Sequence, residues 1–296
     1  MINISRMDLA DFVSPEQMVQ GILHLVPDLP IPVPIEELAL ALDITEIKAL
    51  EAQGFEGGLI TDITKSEGFI LVNKNSPLQR CRFTIGHELA HFLCPWHKPL
   101  SSDGFLCSSE DMRLVDARKS ERAAYMEVEA NRFSALLLMP LPQFRKDVRQ
   151  CKDVDIKHIL DLARLYETSK EATARRYVDV QDEPCAAIVS CKGRVLRYYK
   201  NMDFPYLDVS PGCPVPRESF TVRINFSEAL IVSEWEELNG SAWLSESHGR
   251  RAPMIYEQVH HQRDGYRLTL LTLAEDPEEI EEEEDLEESW TPRFKR

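Results

Sequence analysis

The sequence predicts an α+β fold in two parts, a mostly helical first part with a small sheet and a strand-rich second part. Three observations predict it. Apolar residues recur at helical spacing in the first part, as in Ile35, Leu38 and Leu42. Residues 59–63, after Gly57-Gly58, and the compact apolar run 69–72 read as a strand pair inside that helical stretch. After Pro184 the pattern changes to short strand-like segments. The chain has 296 residues, long for one domain, and about two domains of roughly 100–200 residues each are expected.

Residues 1–50 read as helical. Ser14-Pro15-Glu16 supplies an N-cap with proline at the first helical position. A second helix is expected over 34–42, after a proline-rich loop. The strand pair turns near 65–68. Ser76-Pro77 then opens a helix that runs to about Cys94 and stops at Pro95, since proline cannot continue it. Residues 95–118 look like loop. A helix rich in Ala and Leu covers about 120–139 and ends at Pro140. The stretch 155–179 reads as two helices about a short turn at Thr168-Ser169. Strands are expected at 186–189, 194–199, 230–235, 254–259 and 266–273, with a boundary near 180.

The net charge is −16, yet residues 275–288 alone hold eleven acidic side chains and no basic one. Without them the body carries only −5, so the charge names no partner. This stretch reads as an acidic, solvated tail, disordered over 275–296. Seven cysteines, an odd number, occur without a Cys-x-x-Cys. Asp8 and Asp11 interrupt the first residues, which argues against a signal peptide. No apolar run approaches the ~20 residues of a spanning helix. A cytoplasmic protein with free thiols and no membrane contact is the expectation.

The chemistry centres on His87-Glu88-Leu89-Ala90-His91. Histidines at i and i+4 share one helix face and can converge on one ion. Glu88 then points beside the metal, where a carboxylate can hold and deprotonate water. The pattern predicts a zinc hydrolase with His87 and His91 as ligands and Glu88 as general base.

A catalytic zinc usually has three protein ligands. The later helix offers Glu127 and Glu129, about 200° apart around it, so both cannot face the metal. Asn131 lies four residues after Glu127 on the same face, with small Ser134 and Ala135 near that stripe. Glu127 is the expected third ligand, with Asn131 orienting a ligand from behind; Glu129 stays the alternative. Cys94-Pro95-Trp96-His97 contains a Cys-x-x-His but no partner pair, so no second metal site is expected. His248 and His260-His261 also lack metal spacing.

The run Arg82-Phe83-Thr84-Ile85-Gly86-His87-Glu88-Leu89-Ala90-His91, with Glu127-Val128-Glu129-Ala130-Asn131-Arg132-Phe133 and Leu137-Leu138-Met139-Pro140, resembles ImmA/IrrE-type zinc metallopeptidases over roughly residues 55–180. The resemblance implies a zincin-like core, His87 and His91 as ligands, Glu88 as base and a glutamate of the later helix as third ligand. It departs at Cys94-Pro95, where family members often keep an apolar residue and continue the helix. The resemblance also implies a helix-turn-helix repressor as substrate, cleaved under stress or phage attack, with single-stranded DNA as an activating signal.

It divides the chain into a peptidase domain at 1–154, a helix-turn-helix-like segment at 155–180, an α/β GAF-like sensor domain at 181–274 that could form a homodimer, and the acidic tail at 275–296. In the helix pair, Lys157, Arg164, Lys170, Arg175 and Arg176 could meet phosphates, but nearby acids offset them. Substrate is expected to add as a strand beside an edge formed by Phe69, Ile70, Leu71, Val72 and Asn73. Cys107, in the loop between the ligand-bearing helices, could place a thiolate on the metal and silence it. Two other readings remain at this level: a DNA-binding or sensory regulator with a structural metal, and the protease of a toxin–antitoxin-like pair.

Overall fold

A computed structural model of the chain describes residues 2–51, 55–98, 105–107, 121–224, 231–245 and 252–274. Among them the fold is mixed α and β, with two sheets. The acidic stretch 275–296 lies outside the described residues. The described chain forms two compact units, 1–147 with 161–173 and 148–160 with 174–296. No described helix is long and apolar enough to cross a membrane.

The first unit begins with α1 (Pro15–Leu25), whose N-cap Ser14 accepts a hydrogen bond from the Gln17 backbone N–H. That satisfies one of the orphan donors of the first turn. Helix α2 (Ile35–Ala41) follows. The chain then departs from the expected all-helical start: Ile44–Leu50 is a strand, β1. Asp43, with φ of 69°, turns the chain out of α2. Ile44, Thr45 and Ile47 suit the pleated conformation.

Strands β2 (Gly57–Thr61) and β3 (Gly68–Asn73) form the anticipated antiparallel pair. The sheet order is β1-β3-β2-β4, where β4 is Phe105–Cys107. This corrects two expectations. Residues 95–118 are not all loop, because β4 pairs antiparallel with β2. And Phe69, Ile70, Leu71, Val72 and Asn73 are not an edge. Strand β3 pairs in parallel with β1 on one side and antiparallel with β2 on the other. Its backbone groups are engaged by both neighbours, so it has no free side to offer a substrate.

Helix α3 (Leu78–Leu93) packs on β2 and β3 and against α2 and α4 (Arg122–Leu138). Ile70, Val72, Ile85, Leu89, Phe92, Phe133 and Leu137 belong to one continuous core there. The close approach of α3 and α4 needs a small residue. A Cβ on Gly86 would meet Ser134 Oγ at 2.5 Å, and that hydroxyl donates to the Phe83 carbonyl at 2.8 Å. Arg82 ties α3 down from the other side, donating to the Val33 carbonyl and pairing with Glu167. Helix α5 (Leu141–Val148), which the sequence reading passed over, follows Pro140.

Helices α6 (Ile156–Leu165) and α7 (Lys170–Val180) flank the anticipated turn, where Glu167 takes a φ of 51°. Their residues are shared between the two units.

The second unit holds an antiparallel sheet of order β6-β5-β9-β8-β7: β5 is Cys185–Cys191, β6 Arg194–Lys200, β7 Glu236–Asn239, β8 Met254–His261 and β9 Tyr266–Leu273. The strand expected at 230–235 lies later, at β7. A short helix, α8 (Phe220–Arg223), sits beside β8. Ile188, Val195, Phe204, Trp243, Ile255 and Leu271 form the apolar cluster on this sheet. Glu257 is buried in its midst. Its carboxylate accepts from Ser219 Oγ, the Phe220 and Thr221 N–H groups, Thr221 Oγ1 and Trp243 Nε1, at 2.6–3.1 Å. A buried charge persists only with such a complement of donors.

Candidate metal centre

His87 and His91 sit one turn apart on α3 and are fully buried. Their Nε2 atoms approach to 3.1 Å. Glu127, on α4, places Oε2 at 3.1 Å from Nε2 of His87 and Oε1 at 3.4 Å from Nε2 of His91. Among the described residues, these three form a group whose donor atoms all lie within 4.8 Å of one another.

The spacing fits an ion. Ligand atoms around a tetrahedral centre with bonds of about 2.0–2.1 Å stand about 3.3 Å apart. Two imidazole nitrogens facing each other at hydrogen-bond distance can share one proton at most, whereas an ion satisfies both lone pairs and the carboxylate together. The group can bind a metal.

Glu88 is fully buried on the same helix. Its Oε1 lies 3.1 Å from where a Cβ would stand on Gly57 of β2, and Thr84 Cγ2 crowds that point at 2.1 Å. Glycine at 57 is what lets β2 pass so close to this face of α3. Glu88 also acts on His87 through its charge.

Behind the ligand atoms, each histidine meets a different partner. Nδ1 of His87 is 2.9 Å from Asn131 Oδ1. Nδ1 of His91 is 3.0 Å from Nδ1 of His97. His97 is fully buried, and its Nε2 lies 3.0 Å from Glu129 Oε2, which also accepts from Trp96 Nε1 at 2.9 Å. Phe105 of β4 stacks on the His91 ring, with centroids 4.5 Å apart and planes 21° apart. Lys65, buried in the β2–β3 turn with φ of 52°, donates to the carbonyls of His91 and Cys94 at 2.5 and 2.7 Å and so closes the end of α3.

These surroundings set the protonation. Burial pulls His91 down to about 3, helped by the neighbouring imidazoles. Burial also opposes charge on His87, but the bond to Glu127 and the charge of Glu88 outweigh it and raise its pKa. Glu127 is buried too, yet its bonds to both histidines hold it well below the usual carboxylate range. Burial lowers Lys65 to about 8.

The structure thus brings His87, His91, Glu127 and Asn131 together. Phe69, Ile70, Leu71, Val72 and Asn73 lie in the middle of the sheet. Glu129, the alternative ligand, turns instead to His97 and Trp96. Cys94 is buried with Sγ 3.8 Å from Met18 Sδ, and burial pushes its thiol far up. Cys107 is not in a loop. Its backbone lies in β4 and pairs with Gly57 of β2, and its side chain lies outside the described residues. Sequence reasoning missed Lys65, Phe105 and the place of His97. The signal for His97 was Pro95, which ends α3 and lets the next residues turn back beneath it.

Residues 52–177 match the family model of the IrrE N-terminal-like domain, Peptidase_M78. This segment is similar to the metallopeptidase domain that defines that family. The matched segment contains every residue of the His87–His91–Glu127 group, with Glu88, His97, Glu129 and Asn131. No curated protein sequence matches the chain. Among solved structures, a transcriptional regulator of Mycobacterium tuberculosis is similar at 12% identity with a TM-score of 0.43, over 69% of this chain. The chain spans 59% of that regulator's length.

Proposed function

We propose that the protein is a zinc-dependent endopeptidase that cleaves a helix-turn-helix repressor and so relieves repression in a stress or phage-defence response, with single-stranded DNA as its activating signal. The observation that carries this reading is the convergence of His87, His91 and Glu127 beside buried Glu88, within a segment that matches a metallopeptidase family model. A cytoplasmic location and a sensory, GAF-like role for the second unit belong to the same proposal.

His87 and His91 would hold zinc through Nε2, and Glu127 through its carboxylate. Zinc supplies Lewis acidity toward a carbonyl and toward water. Glu88 takes the proton of the attacking water on its carboxylate and returns it to the nitrogen of the leaving amine. The burial that encloses Glu88 keeps competing water from it. Asn131 holds the His87 ring in the plane its ligand atom requires.

A substrate strand is better placed along β4 than along β3. Phe105 stacks on His91, so β4 runs past the ligands, and β2 is its partner among the described residues. An extended peptide adding there gains main-chain hydrogen bonds beside the reacting centre.

The test incubates the protein with the repressor encoded beside it, with and without single-stranded DNA, against Glu88→Gln. Loss of a general base lowers the rate by roughly 10²–10⁴-fold while zinc content stays that of the wild type. Equal cleavage by both proteins, or cleavage by neither, overturns the reading.

A further inference from the structure

We propose that His97 and Glu129 are positioning residues for the metal ligand His91, linked to it by a directional chain of hydrogen bonds. The proposal rests on the reading of His87, His91 and Glu127 as a metal centre. The geometry is Nδ1 of His91 to Nδ1 of His97 at 3.0 Å, and Nε2 of His97 to Oε2 of Glu129 at 3.0 Å, with Trp96 Nε1 on that same oxygen at 2.9 Å.

The direction follows from what each atom can do. A ligand histidine gives the lone pair of Nε2 to the ion, so its one proton sits on Nδ1. Nδ1–H of His91 must then donate, and the atom facing it is Nδ1 of His97. That nitrogen accepts only if it carries no proton. His97 is therefore neutral with its proton on Nε2, and this N–H donates to Glu129. The carboxylate ends the chain as an acceptor, with the Trp96 indole N–H fixing its orientation. A doubly protonated His97 would set two N–H groups against each other in a fully buried space, which burial forbids.

The two ligands are thus held by different devices. His87 faces an amide oxygen, which only accepts. His91 faces a ring nitrogen that either accepts or donates, and it is Glu129 that decides which. Phe105 stacks on the His91 ring and Lys65 holds the His91 carbonyl, so the ring's plane and backbone are fixed while the His97 chain sets its proton. Glu129, two residues after Glu127, lets a single helix supply a metal ligand on one side and the end of this chain on the other.

The experiment measures zinc affinity by chelator competition on the full chain, for wild type, His97→Met, His97→Gln and His91→Ala. Glutamine keeps an oxygen to accept from His91 and an amide N–H to donate to Glu129, whereas methionine fills the space, accepts only weakly through its sulfur and cannot donate to Glu129. Removing such a partner weakens a metal about 10–100-fold, so His97→Met is expected to lose that much and His97→Gln to stay within a few-fold of wild type. Nitrogen-edited NMR of the zinc-loaded wild type is expected to show His97 protonated on Nε2. This decides the matter by itself if His97→Met fails to fold.

Wild-type affinity in folded His97→Met, equal losses in the Met and Gln variants, or a proton on Nδ1 of His97 would each overturn the proposal. His91→Ala separates the two levels of the argument. If it binds zinc as tightly as the wild type, or the wild type binds none, the metal-centre reading falls and this proposal with it. If His91→Ala loses zinc while His97→Met keeps it, only the positioning chain falls.

Discussion

The amide oxygen of Asn131 stands 2.9 Å from Nδ1 of His87, behind a ring whose Nε2 faces Glu127 at 3.1 Å. Asn131 and Glu127 are one turn apart on α4, so a single helix grips both sides of the histidine. An amide oxygen accepts and never donates, which puts the proton on Nδ1 and frees Nε2 for an ion. Asn131→Leu removes that constraint and is expected to weaken zinc about 10–100-fold. Asn131→Asp, which still accepts, is expected to retain binding. Chelator competition on the two variants checks both.

Gly86 and Ser134 set how near α4 comes to α3. A methyl group at Gly86 would meet Ser134 Oγ at 2.5 Å and its Cβ at 3.2 Å. Gly86→Ala is expected to cost about 1–3 kcal/mol through overpacking and to move Glu127 away from the histidines. Urea unfolding reads the first effect and zinc stoichiometry the second. Adding Ser134→Gly should recover part of both, although it loses the hydroxyl's bond to the Phe83 carbonyl.

How much of this was legible in the sequence follows from which relationships are local. His87, Glu88 and His91 lie within one helical turn, where the period alone says which side chains share a face. Asn131 was readable from Glu127 for the same reason. The strands Gly57–Thr61 and Gly68–Asn73 were visible as apolar runs, but their place in the sheet was not. That β3 is central depends on β1, whose last residue lies 55 residues before β4, and no local pattern reports it. β1 itself was hidden because half of Ile-Thr-Glu-Ile-Lys-Ala-Leu faces outward and it follows a helix with no glycine or proline between. His97 lies beyond the break at Pro95, where the helical period no longer relates it to His91. Lys65 closes α3 from a separate turn, a contact made only by folding.

The buried thiols give the fold a definite response to alkali. Burial, with the charge of Glu183, pushes Cys185 up to about 12 from an ordinary 9.0. Burial does the same to Cys94, with Glu129 adding to it. The native state therefore keeps these protons where the unfolded chain has released them. The stability this contributes is full below pH 9.0 and falls as pH rises through the folded values. Cys185→Ala is expected to flatten that decline in urea unfolding measured from pH 9.0 upward. Both thiols should stay silent to a thiolate-selective reagent in the native protein and react on unfolding.

Lys65 offers the sharpest check on how α3 is terminated. The last carbonyls of a helix lack intrahelical partners, and here two of them, on His91 and Cys94, receive the ammonium of Lys65. The aliphatic stem is buried, and the ammonium stands 5.6 Å from the centre of the Phe105 ring. Lys65→Met keeps the stem's volume and removes the donor. It leaves two buried carbonyls short of a charged partner, a loss of about 1.5–3 kcal/mol by the usual worth of such bonds. Because one carbonyl belongs to His91, a proposed metal ligand, the variant is expected to hold zinc more weakly as well as to unfold at lower urea. A variant that unfolds early but binds zinc as the wild type does would show that Lys65 secures the helix end without positioning His91. Lys65→Arg, which restores charge with a larger planar head, should recover less than half of the stability, since the space is shaped for an ammonium.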